Sequence, residues 1–89
     1  MKVHELKTWP QLFAAVNAGR KCWELRRNDR DFKEGDLLYL REYDNTTEKY
    51  TGHYVLAKVL SAFHDFDVPE GLPSGFVIMD IQRVSLVPA

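Results

Sequence analysis

The chain has 89 residues, of which 45% are hydrophobic and 28% charged, and its formal net charge is −1. This length predicts one domain with a small core over residues 1–89, and the near-neutral charge argues against indiscriminate binding of polyanions. A run of about 18 apolar residues and an N-terminal secretion signal are both missing, and a single cysteine, Cys22, excludes an internal disulfide, so we expect a cytoplasmic protein without membrane contact.

The first predicted elements are a short strand over Val3 to Lys7 and a helix over Pro10 to Ala18. Thr8 and Gln11 have the spacing of a capping box, and proline suits the first helical turn. Apolar residues recur at helical spacing, which predicts a buried helix face with Trp9 as a core anchor. That face comprises Trp9, Leu12, Phe13 and Val16.

The rest of the chain alternates in the manner of strands separated by turn residues. Thr51-Gly52 interrupts one extended stretch, and a loop rich in proline and glycine separates the last two strands. The predicted strands are Lys21 to Arg27, Asp36 to Tyr43, Lys49 to Tyr50, His53 to Phe63 and Phe76 to Val84. One helix and five or six strands cannot form an open α/β sheet, because parallel pairing needs more crossover helices. The sequence therefore predicts an α+β fold, a small mixed β-barrel with one main helix packed beside it.

Charge is concentrated in residues 20–30, which carry five basic residues and two acidic ones, a net charge of +3. The strand that starts this segment should place Cys22, Glu24 and Arg26 on one face and Lys21, Trp23 and Leu25 on the other. Lys21 is formally on the opposite face from Glu24, but it follows a turn at Gly19, where a bulge or local twist can redirect a side chain. Such a patch suits a phosphate or nucleotide held at one place, although solvated arginines would give the same pattern.

The segment Gly19-x-Lys21-x-x-Glu24-x-Arg26 resembles the G-x-K-x-x-E-x-R signature of the ASCH domains, a branch of the PUA-like superfamily. Other segments agree with small ASCH-like proteins of phages and bacteria, namely His4 to Lys7, Asn28 to Phe32, Gly35-Asp36 and Tyr50 to Gly52. The resemblance implies a PUA-like pseudobarrel with a cleft beside the helix. It also implies that the signature residues line this cleft and bind RNA or a nucleotide, and we expect a monomer.

The candidate ligand-binding residues combine hydrogen-bond donors, one carboxylate and aromatic rings. Lys21 and Arg26 can bind phosphate or base carbonyls, and Trp23 and Tyr50 can stack on a base. Glu24 either accepts from the ligand or forms a structural salt bridge. The full set is Lys21, Trp23, Glu24, Arg26, Asn28, Arg30, Tyr50 and His53, with Asn28 and Arg30 at the cleft rim and His53 as a minor contact.

Two alternatives remain open. Some members of the wider superfamily are amidohydrolases of acetylated cytidine, in which case Lys21 and Glu24 would be the catalytic residues. Glu24 here replaces the hydroxyl residue of those enzymes, so a direct nucleophile is absent. The other alternative is a protein-interaction module with the charged cluster as a structural network. We expect no cofactor and no metal, since His4, His53 and His64 lack ligand spacing and are expected on the surface or in strands, and Cys22 is expected to pack as a small side chain.

Overall fold

The computed structural model describes residues 1–68 and 70–84. Within these residues one sheet contains all the strands, in the order β1-β3-β4-β5-β2, with β1 and β3 parallel and the other neighbours antiparallel. The elements are β1 (Val3–Thr8), α1 (Pro10–Asn17), β2 (Trp23–Arg27), β3 (Leu37–Asp44), β4 (Lys49–His64) and β5 (Phe76–Arg83). This mixed five-stranded half-barrel with one short helix confirms the predicted α+β barrel-like fold.

The strand β4 runs without a break through Thr51-Gly52, so the predicted division into two strands is wrong. Its pairing with β3 is nevertheless irregular at this point: Arg41 pairs with Tyr54 and Tyr43 with Tyr50, so residues 51–53 lie opposite Glu42 as a bulge. Gly52 has a φ of +95°, which only glycine adopts without strain, and this residue lets β4 accommodate the irregularity while pairing resumes on both sides.

The helix α1 lacks the predicted capping box. Trp9 is the N-cap, and no described side chain caps the helix, because Thr8 is the last residue of β1 and is buried. Pro10 occupies the first turn, as expected. Phe13 and Val16 face the core, but Trp9 and Leu12 are exposed, so the prediction that all four anchor the helix is wrong for the first turn.

The core lies on the concave side of the curled sheet and follows the alternation of each strand. In β3, for example, Leu38 and Leu40 are fully buried while their neighbours face outward. The buried apolar residues are Leu6, Phe13, Val16, Phe32, Leu38, Leu40, Val55, Ala57, Val59, Val77, Met79 and Ile81. Within the described residues, no helix has the length and apolar character that a bilayer crossing requires.

A buried polar pair fixes the start of β1. His4 Nε2 lies 2.8 Å from Asp36 Oδ2, and the Asp36 carboxylate also accepts from the backbone N–H groups of Lys2 (3.0 Å) and Lys33 (3.1 Å). Burial alone would raise the pKa of Asp36, but the hydrogen bonds from His4, Lys2 and Lys33 outweigh it and hold the pKa below its usual value. His4 is thus a buried strand residue, not a surface one.

Side chains close the gap between the two outer strands, β1 and β2, which we call the seam. Arg26 Nη2 donates to the Lys7 carbonyl at 3.1 Å, and Arg30 Nη1 donates to the Glu5 carbonyl at 2.5 Å. Glu5 and Lys7 are two residues apart, so their carbonyl groups point to the same edge of β1. Among the described residues, the sheet order leaves β1 and β2 unpaired with each other, so these arginines complete the half-barrel.

Candidate functional site

Glu24 is the centre of a buried ionic cluster on β2. Its carboxylate accepts from Lys21 Nζ at 2.5 Å through Oε1 and from Arg26 Nε at 2.9 Å through Oε2. The side chains of Glu24 and Lys21 are only 3% and 8% exposed, whereas that of Arg26 is 25% exposed. We call Lys21, Glu24 and Arg26 the triad. Each buried charge has an opposite partner, as burial of charge requires.

Lys21 reaches Glu24 from outside the strand. The strand β2 begins at Trp23, two residues later than predicted. The chain leaves α1 through a turn in which Gly19 has a φ of +78°. The backbone N–H of Lys21 donates to the Ala15 carbonyl at 3.1 Å. Its ammonium donates to the Trp23 carbonyl at 2.7 Å and lies 4.5 Å from the centre of the Trp23 ring. The turn thus redirects the lysine to the side of Glu24.

An open pocket of about 420 Å³ lies over the triad, between the end of β1, the start of α1 and β2. It is lined by Lys7, Thr8, Trp9, Leu12, Lys21, Trp23, Glu24, Leu25 and Arg26. Trp9 and Trp23, the only tryptophans of the chain, are 56% and 45% exposed there. The volume falls in the range of small-molecule sites, which combine apolar walls with a few convergent polar groups.

The pocket lining divides into an apolar and a polar part. Four apolar residues, Trp9, Leu12, Trp23 and Leu25, are all exposed. The polar part contains the triad, Lys7 and the buried Thr8, whose hydroxyl lies 3.5 Å from Arg26 Nη2. Three cations against one carboxylate give the lining a positive balance. The arrangement offers flat surfaces for stacking beside fixed donors and one acceptor.

Arg30 and Asn28 do not line this pocket. Arg30 bonds across the seam and lines a recess of about 170 Å³ that shares Arg26 with the pocket. Asn28 is partly buried, and its N–H donates to the Gly75 carbonyl at 2.8 Å. Its Oδ1 is buried and has no hydrogen-bond partner among the described residues.

The structure does not bring Tyr50 or His53 to this pocket. Tyr50 lies against Arg41 and Tyr43 on the hairpin of β3 and β4. His53 is exposed, with Nδ1 3.3 Å from Glu42 Oε1, and lines a separate recess of about 350 Å³ beside the end of α1.

Sequence reasoning missed Trp9 as a pocket residue. The proline that follows it disfavours helical geometry, and Trp9 accordingly has φ −66° and ψ 152°. This extended conformation places the tryptophan outside the buried face of α1, so Trp9-Pro10 was a usable signal. The prediction that Cys22 packs inside is also wrong, since Cys22 is exposed with its thiol 3.4 Å from the Gly19 carbonyl.

Comparisons with known proteins place the fold and the family. The crystal structure of the hypothetical protein PH0355 is similar over 94% of this chain and all of its own, with a TM-score of 0.61 and 18% identity, which is a likeness of fold. The "Uncharacterized 12.9 kDa protein in GpA 3'region" of Escherichia phage P2 is 36% identical over 58 residues, or 65% of this chain. The aligned region spans 51% of that phage protein, about half of its length. A family model, "Domain of unknown function (DUF3850)", matches residues 3–81, and the chain therefore belongs to the DUF3850 family.

Proposed function

We propose that this protein is an RNA- or nucleotide-binding module of the cytoplasm, acting as a monomer, and that the pocket over the triad receives a nucleobase. One observation carries the proposal: the two tryptophans of the chain are both exposed at a pocket whose polar part centres on the buried Lys21–Glu24 pair and the partly exposed Arg26. Exposed aromatic rings beside fixed donors and an acceptor are the groups that recognise an unpaired base.

The two parts of the pocket have complementary tasks. The ring faces of Trp9 and Trp23 provide stacking area, and the quarter-exposed Arg26 can donate to a base carbonyl or a phosphate. Glu24 is held from both sides by cations, so its carboxylate is fixed in position before a ligand arrives. A fixed site loses less entropy on binding than a mobile one.

The resemblance to the ASCH signature supports the same ligand class. Lys21, Glu24 and Arg26 of the G-x-K-x-x-E-x-R segment all line the pocket. In the ASCH interpretation, these residues form the cleft of a PUA-like barrel that binds RNA.

Intrinsic tryptophan fluorescence tests the proposal directly, because every tryptophan signal comes from the pocket. The probes are the four ribonucleoside monophosphates, the matching nucleosides and a short single-stranded RNA. We expect at least one of them to quench the fluorescence in a saturable manner. Calorimetry should show that Trp23→Leu weakens this binding by roughly fivefold or more, the loss expected for one stacking contact.

The matched control is Phe66→Ala, which removes an exposed aromatic ring in the loop after β4, away from the pocket. The Phe66→Ala variant should bind each probe with the same affinity as the unchanged protein. The proposal fails if no probe binds, or if Trp23→Leu and Phe66→Ala bind equally well. Capture of a single protein partner that persists after nuclease treatment would then favour the protein-interaction module.

A second candidate, hydrolysis of an acylated nucleoside, is favoured by the 2.5 Å contact between Lys21 Nζ and Glu24 Oε1 beside the pocket. A lysine in contact with a carboxylate supplies a donor and an acceptor of the kind that acid–base catalysis uses. Incubation with N4-acetylcytidine should then release acetate, and Lys21→Met should abolish the release while the fold is retained. Absence of acetate with the unchanged protein would remove this candidate.

A further inference from the structure

All four tyrosines of the chain lie on the outer face of β3 and β4, away from the core. The buried residues Leu38 and Leu40 fix the inward face of β3, so Tyr39 and Tyr43 face outward with Arg41 between them. The four tyrosines are Tyr39, Tyr43, Tyr50 and Tyr54. Together with Arg41 and Lys7 they form a surface that we call the tyrosine strip.

The strip is organised in cross-strand pairs. The rings of Tyr43 and Tyr50 have centres 5.1 Å apart and those of Tyr39 and Tyr54 5.3 Å apart, both in edge-to-face geometry. Tyr50 and Tyr54 are the exposed members. Edge-to-face packing keeps the rings in fixed orientations while these two remain open to solvent.

Cations are interleaved with these rings. The Arg41 guanidinium lies 3.8 Å from the centre of the Tyr50 ring, and Lys7 Nζ lies 4.3 Å from the centre of the Tyr43 ring. Glu5 faces the same side and pairs with Arg41 at 3.3 Å. Aromatic rings alternating with basic groups on an open sheet match the alternating bases and phosphates of a single strand.

Lys7 connects the strip to the pocket. It lines the pocket, yet its ammonium lies over Tyr43 of the strip. Lys7 thus borders both surfaces, since its carbonyl accepts from Arg26 of the pocket while its ammonium lies over Tyr43 of the strip. A strand that leaves the pocket across the edge of β1 at Lys7 meets the tyrosines.

We propose that the tyrosine strip is a second binding surface, which holds the nucleotides of a single-stranded nucleic acid that follow the one in the pocket. Lys7 contacts the phosphate between the two surfaces, and Tyr50 and Tyr54 stack on the adjoining bases. The choice of a nucleic acid strand as the occupant rests on the proposed function of the pocket. A duplex does not fit this role, because its bases are already stacked on each other.

Affinity as a function of ligand length tests the strip. The probes are uridine monophosphate, adenosine monophosphate and the corresponding single-stranded hexanucleotides in ribose and deoxyribose forms. We expect a hexanucleotide to bind more tightly than its mononucleotide. Tyr50→Leu should weaken hexanucleotide binding by roughly fivefold or more and leave mononucleotide binding unchanged. Tyr50→Phe, which keeps the ring, and Phe66→Ala should both bind as the unchanged protein does.

Fluorine NMR separates the two surfaces, since fluorotyrosine reports only the strip and fluorotryptophan only the pocket. A mononucleotide should shift tryptophan signals alone, and a hexanucleotide should shift both sets. Tryptophan shifts without tyrosine shifts, or equal affinity for both lengths, would overturn the strip and leave the pocket proposal intact. Tyrosine shifts without tryptophan shifts would overturn the pocket and the proposed path across Lys7 together, and no shift with any probe would overturn both surfaces. A preference for ribose identifies the strand as RNA, and equal binding identifies a site for either sugar.

Discussion

Replacement of Glu24 by glutamine is the sharpest test of the triad, because it removes one charge and almost no volume. In the structure one carboxylate satisfies two cations, at 2.5 Å from Lys21 Nζ and 2.9 Å from Arg26 Nε. After Glu24→Gln, a single amide oxygen can accept from one of them, and the amide N–H₂ group faces the other. Lys21 is only 8% exposed, so little water reaches its ammonium to replace the lost partner.

The expected loss is about 3–5 kcal/mol of unfolding free energy, the usual cost of leaving one member of a buried ion pair uncompensated. This is a large share of the roughly 5–15 kcal/mol that stabilises a typical domain. The matched control is Glu5→Gln, the same chemical change in the exposed ion pair with Arg41. Exposed pairs contribute about 0–1 kcal/mol, so the two variants should differ several-fold.

Urea unfolding followed by circular dichroism measures both variants. The double variant Lys21→Met with Glu24→Gln should recover more than half of the lost stability, because the unpaired buried cation is then gone. The reasoning is refuted if Glu24→Gln costs no more than Glu5→Gln, or if the double variant is less stable than Glu24→Gln alone.

Three further predictions concern the scaffold. Asp36 has a lowered pKa, so its contribution to stability is complete above the ordinary aspartate pKa and is lost as the pH falls through the lowered value, below about pH 4. Urea unfolding at a series of pH values should show that Asp36→Asn loses less stability in acid than the unchanged protein does. An equal loss in both proteins would contradict this. Arg30→Ala should lower the free energy of unfolding by about 1 kcal/mol and speed amide hydrogen exchange in β1, since it frees the Glu5 carbonyl at the seam. Arg20 is exposed, so the control Arg20→Ala should change neither quantity. Gly52→Ala should lower the free energy of unfolding by about 1 kcal/mol, measured in urea. The loss comes from backbone strain alone, because the φ of Gly52 is +95° and an added Cβ meets nothing within 4 Å. Unchanged stability would show that β4 relaxes at this point.

The strands and the barrel-like fold could be predicted because their signals are local. Alternation of apolar residues marks β3 and β4, and the count of strands against one helix leaves few architectures. The convergence of Lys21, Glu24 and Arg26 was also predictable, since all three lie within one turn and strand and Gly19 allows the chain to redirect the lysine.

Contacts between distant segments were not predictable in this way. The pairing of His4 with Asp36 and the bond from Arg30 to Glu5 join residues that no local pattern connects. The capping box failed for a related reason: the hydroxyl of Thr8 is buried in β1, which is paired with β3, and is unavailable to the helix. At these residues the side-chain contacts are set by tertiary packing and not by local propensity.

The residues that line the pocket all fall between positions 7 and 26, in the continuous segment β1–α1–β2. The strands β3, β4 and β5 form a meander of consecutive antiparallel neighbours, whereas β1 and β2 join its two sides through pairings such as Val3 with Leu37 and Trp23 with Asp80. Short loops close at lower entropic cost than long ones, so the meander should form first and the N-terminal segment should dock last. Ligand capture would then be coupled to the final step of folding, and the occupied protein should unfold more slowly from its N-terminal side.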